Sequence, residues 1–125
     1  MLLMEQTSIA RDTANDTVLK HLKIKLGVCR RKTKEVAHYK KEAEENQEIV
    51  NQLTLEGADE WKLKQPALCV EESYAMILES GNRLQTGTDE LYSYIIKFGE
   101  DEIMSEGEGL KLKEEAESLL AESWS

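Results

Sequence analysis

Proline and phenylalanine each occur once in this 125-residue chain, and cysteine only twice. Turn formers this scarce argue against a many-stranded sheet and favour long helices, so the chain reads as all-α. Cys29 and Cys69 stand alone with no CxxC pair, and unbridged thiols in a reducing cytosol are expected. No apolar run approaches the roughly 18 residues needed to span a bilayer. The opening MLLM has four apolar residues and no basic segment and is followed by Glu5, which is unlike a secretory signal. A soluble protein that makes no membrane contact is the expectation. Neither GxGxxG nor GxxxxGK[ST] occurs, so no phosphate cradle is predicted.

Charge is abundant, at 33% of residues with a net of −9, and unevenly placed. The stretch LKIKLGVCRRKTKEVAHYKKEAEE holds half of the positive charge. From Lys20 to Lys41 nine Lys or Arg face one acid, Glu35, a net of +8 that leaves −17 for the rest. An acidic total argues against nucleic acid, and only Tyr39 is interleaved with the cations to stack on a base. Two uses remain for the run. It can be a solvated face paired with glutamates of its own or an adjacent helix. Alternatively Arg30, Arg31, Lys34 and Lys41, projecting at fixed spacing, can meet an acidic protein surface.

Residues 1–16 show no sustained period and read as a mobile arm, with Asp16 or Thr17 as cap of a first helix over about 17–55. Leu22, Leu26, Cys29, Thr33, Val36, Lys40, Ala43, Gln47 and Val50 recur at steps of four and three, a thin seam for a neighbouring helix. Gly57 ends that helix and Asp59 caps the next, over about 60–98. There Leu63, Ala67, Val70, Tyr74, Ile77, Gly81, Leu84, Thr88, Leu91, Ile95 and Phe98 keep one phase. That phase favours a continuous helix through the glycines at 81 and 87. Pro66 predicts a kink near 62–66. FGEDEIMSEGEG reads as a solvated acidic loop, and a last helix covers about 109–123. Trp61 and Trp124 are expected to pack near the bundle ends.

Two long helices of about 55 to 60 Å joined by a short turn form an antiparallel hairpin, and a third helix covers part of its open groove. The predicted architecture is an elongated antiparallel three-helix bundle, one domain over 17–125. Cys29 and Cys69 would lie roughly 24 Å apart along it, too far for a disulfide.

Such a bundle offers little for catalysis. His21 and His38 are 17 residues apart with no ligand at metal spacing, and Ser and Cys lack an adjacent base. No enzyme activity, cofactor or metal is expected. Glutamate clusters such as Glu42, Glu44 and Glu45 read as solvated faces.

The residues LKIK and CRR of helix one (Leu22 to Lys25 and Cys29 to Arg31), and Tyr39 to Ala43, carry a resemblance. So do the turn residues Gly57, Ala58 and Asp59, then Lys64 and Gln65, and finally Glu72, Ser73, Met76, Arg83 and Leu84. Together they resemble the tubulin-binding cofactor A (tubulin-specific chaperone A) family over roughly 19–123. The resemblance implies a three-helix chaperone of the cytoplasm, cytoskeleton-associated, that captures β-tubulin after the chaperonin. It then passes β-tubulin to later tubulin-folding cofactors for heterodimer assembly, with no nucleotide, metal or covalent step. Lys23, Lys25, Arg30, Arg31, Lys34, Tyr39, Lys41, Glu72, Ser73, Met76 and Arg83 are the candidate partner-binding residues. Family members often carry a proline in mid-helix two, where this chain has Leu78. A homo-oligomeric coiled-coil-like scaffold is the alternative function, and monomer and homodimer both stay open.

Overall fold

The described residues form three helices: α1 over Leu2–Leu55, α2 over Glu60–Phe98 and α3 over Gly107–Trp124, with a 3-10 turn at Glu102–Met104 before the last. The computed structural model describes the backbone of residues 2–124 and the side chains of residues 13–123. Among these residues there is no strand, so the fold class is all-α.

α1 begins at Leu2 rather than near residue 17. Thr17, a candidate cap, instead sits inside the helix, where its Oγ1 donates to the carbonyl of Thr13 at 2.9 Å. That is the back-bond a hydroxyl makes in mid-helix. The far end of α1 closes as a Schellman turn. Ala58 N–H donates to Leu53 O at 3.0 Å and Gly57 N–H to Thr54 O at 3.1 Å, with Gly57 at φ +76°, a conformation open to glycine. Asp59 then caps α2, its Oδ1 accepting from Lys62 N–H at 3.0 Å. α2 runs unbroken through Pro66, Gly81 and Gly87.

Packing divides the chain into two compact units, where the sequence suggested one. One unit takes α1 up to Cys29 together with the chain from Thr86 onward; the other is Arg30–Gln85. In the first, Leu22, Leu26 and Cys29 of α1, Leu91 of α2, and Ala116 and Leu120 of α3 form a buried core. Each buried leucine contributes about 1.5–3 kcal/mol relative to exposure. Met104 joins them at 1% exposure, which corrects the reading of FGEDEIMSEGEG as a wholly solvated loop. Its acids stay in water while the 3-10 turn drives one apolar side chain inward. Gly109 makes that path possible, because a Cβ there would fall 1.8 Å from Ile103 O.

The second unit is a helical hairpin with a far thinner interior. Of its side chains only Ala43, Ser73 and Ser80 are fully buried. Asn46 Nδ2 donates to Ser73 Oγ at 2.8 Å, and Ser73 Oγ donates to Cys69 O at 2.9 Å. These bonds satisfy the polar groups that a two-helix interface cannot replace with leucine.

The inner stripe differs from the predicted seam by one residue at alternate positions. Leu63, Val70, Ile77 and Leu84 face inward as expected, but Pro66, Ser73 and Ser80 lie between them instead of Ala67, Tyr74 and Gly81, and Tyr74 is 55% exposed. On α1, Tyr39 is half-buried while Lys40 and Thr33 are exposed. Both phases satisfy a step of four and three. Close approach of two backbones selects the one whose side chains are small.

Candidate partner-binding surface

In the hairpin unit the α1 positions 30, 34 and 41 recur at four and seven, which places Arg30, Lys34 and Lys41 on one face with Arg31 beside them. All four are exposed. Further along, the same face turns acidic at Glu44, Glu45 and Glu48. Within the run, Lys32 Nζ lies 3.5 Å from Glu35.

The other predicted binding residues have other surroundings. Lys23 and Lys25 belong to the other unit, where Lys23 pairs with Glu108 of α3 and Lys25 Nζ lies 5.4 Å from the Tyr94 ring centroid. Tyr39 is on the opposite side of α1 and packs edge-on to His38, with ring centroids 5.3 Å apart. Ser73 is buried in the polar layer and Met76 is half-buried. Glu72 is exposed, and Arg83 is paired with Glu79 one turn earlier.

A second surface was missed. Trp61, expected to pack, is 82% exposed, and Leu68 and Leu78 on α2 are exposed as well. Trp61, Leu68 and Ala75 are seven residues apart, a period readable in the sequence once the inner stripe is assigned correctly. Trp124 lies outside the described side chains.

The groove lined by His21, Lys25, Glu90, Tyr94 and Phe98, about 580 Å³, is an open furrow. Among the described residues no cluster of three His, Cys, Asp or Glu could hold a metal ion. Cys29 is buried and lies in the first unit's core, beside the space left by Gly87. Burial raises its thiol above the ordinary range; the Glu90 carboxylate adds to this and Lys25 opposes it. Its thiolate is therefore scarce at neutral pH. Folded protein treated with a thiol alkylator at pH 7 is expected to label at the half-exposed Cys69 and not at Cys29, as read by peptide mass spectrometry. The folded chain also holds the Cys29 proton where the unfolded chain has released it. That stabilisation is complete below roughly pH 8.5 and is lost as pH rises through the folded value. Thermal melts of Cys29→Ala should show a flatter alkaline decline than the parent chain. A similar decline at higher pH comes from Tyr94, whose hydroxyl donates to Val18 O at 2.9 Å and is raised by burial and then by the Asp101 carboxylate.

The comparison with known proteins gives the family. The profile of the family described as tubulin binding cofactor A matches residues 17–120. The chain belongs to the tubulin binding cofactor A family. Tubulin-specific chaperone A of Gallus gallus is 36% identical over 70 residues, covering 56% of this chain and 65% of that protein, just under two thirds of its length. Tubulin-folding cofactor A of Arabidopsis thaliana is 32% identical over 104 residues, covering 83% and 88%. The crystal structure of that Arabidopsis cofactor superposes with a TM-score of 0.76 at 31% identity, covering 86% of this chain and 96% of the other.

Proposed function

We propose that this protein is a non-catalytic tubulin-folding cofactor of the cytoplasm that captures β-tubulin and holds it for assembly of the αβ heterodimer. Membership of the tubulin binding cofactor A family over residues 17–120 carries the reading. The exposed cationic face at Arg30, Arg31, Lys34 and Lys41 supports it, because a ridge of fixed positive charge on a helix suits an acidic client. The face holds its client by complementary charge and broad contact, so no bond is made or broken, and release passes the client to later cofactors. The deciding experiment is size-exclusion co-elution with β-tubulin released from chaperonin, with α-tubulin as control. A complex with β-tubulin alone is expected. Retention of neither chain by a folded protein would overturn the assignment, and equal retention of both would overturn its β-specificity.

A further inference from the structure

Gly57 and Gly109 are required where they stand, one by its positive φ and the other by the crowding at Ile103 O. Gly81 and Gly87, both inside α2, have no such reason. Neither has a positive φ. A Cβ at 81 would meet nothing within 4 Å, and one at 87 would make ordinary contact with Cys29 Sγ at 3.5 Å and Val28 Cγ1 at 3.7 Å. Alanine fits at both positions and holds a helix better, so each glycine weakens α2 with no gain in packing. The stretch SGNRLQTGT around them shares that weakness. Six of its nine residues are poor helix formers, Ser80, Gly81, Asn82, Thr86, Gly87 and Thr88. Ser80 also donates its hydroxyl to Ile77 O at 3.2 Å, a local bond that competes with the helix ladder, and serine beside glycine is a common place for a helix to bend.

We propose that α2 opens locally over residues 81–88, a hinge that divides it transiently into two shorter helices, 60–80 and 89–98. The division between the two compact units falls between Gln85 and Thr86, inside this segment, so the residues before and after it are held by different interiors. Before it, Val70, Ser73 and Ile77 pack within the hairpin unit. After it, Leu91 with Tyr94, Ile95 and Phe98 anchors α2 in the first unit's core. Between these anchors the segment supplies one large apolar side chain, Leu84. A helix opens most readily where apolar contacts are few and propensity is low, and both conditions meet here. The hinge gives α2 a place to yield without opening the core around Leu91. The proposal does not rest on the tubulin reading.

Amide hydrogen exchange on the full chain, read residue by residue by NMR, tests it. Where exchange reports the opening equilibrium, the amides of 82–88 should be about 10-fold or more less protected than those of 70–77 and of 91–97. Gly81→Ala and Gly87→Ala should each raise protection within 82–88 about 5-fold, and together about 25-fold, the factor set by the helix preference of alanine over glycine. Protection over 91–97 should stay at the parent value. Gly81→Ala is the cleaner variant, because its added methyl group meets no neighbour and repacks nothing. Circular dichroism checks that each variant keeps its helix content. A segment as protected as both flanks overturns the proposal. So does protection that falls steadily from 97 toward 70, since the hairpin unit then opens as one body. Equal gains along the whole of α2 in the variants overturn it as well, because the glycines would then act on global stability and not on a hinge.

Discussion

Changing Arg30, Arg31 and Lys34 together to glutamate is expected to weaken the capture of β-tubulin that we propose on the order of 10- to 100-fold, with most of the loss in the association rate. The three side chains are exposed on α1 in the hairpin unit, and none belongs to a buried layer. Their reversal swaps attraction for repulsion across the whole contact without removing core atoms. Helix content and melting temperature should change little, since surface substitutions of this kind usually stay within about 0.5 kcal/mol. Capture by the parent chain should itself weaken with added salt, because the screening length falls from about 10 Å at 0.1 M to about 3 Å at 1 M. Association rates at two salt concentrations, for parent and variant, check both statements. Unchanged capture by the triple variant would move the client surface to α2 or α3.

Leu91→Ala is expected to destabilise the chain by about 2–5 kcal/mol, a large share of a typical total of about 5–15 kcal/mol. Leu91 is wholly buried where α1, α2, the 3-10 turn and α3 all contribute side chains. Truncation leaves a cavity that rigid neighbouring helices close only in part. Trp61→Ala, which removes far more apolar surface, should cost within about 0.5 kcal/mol in the monomer, because Trp61 already stands in water. Urea unfolding followed by circular dichroism orders the two. A larger loss for Trp61 than for Leu91 would contradict the assigned burial.

Much of the fold is legible in the residues. Gly57 and Asp59 encode the turn locally: one supplies the left-handed backbone and the other the side-chain oxygen that the next helix needs. The all-α class follows from the same kind of information, since proline and glycine are too rare to cut the chain into strands. Helix α2 keeps its phase through Gly81 and Gly87, as the pattern implied, because the cost of about 1 kcal/mol per glycine is distributed over a long packed element.

The candidate surface was legible only in part. Cations at 30, 31, 34 and 41 could be placed on one face by counting, because spacing within a helix is fixed by its own geometry. Lys23, Lys25, Ser73 and Arg83 could not be sorted by counting. Their fate depends on groups distant in sequence, namely Glu108 and Tyr94 for the lysines and Asn46 for the serine, or on a rotamer choice, as for Arg83 with Glu79.

Residues alone therefore determined the helical class, the turn at Gly57 and Asp59, the cationic face and the family to which the chain is similar, but not the start of α1; these arise from interactions a few residues long or from pattern over the whole chain. Tertiary packing decided that Met104 goes inside and Trp61 stays out, and that Ser73 rather than Tyr74 turns toward α1. A step of four and three admits either neighbour, and hydrophobicity favours the tyrosine. The distance between two helix backbones favours the serine, and that distance exists only once the chain has folded.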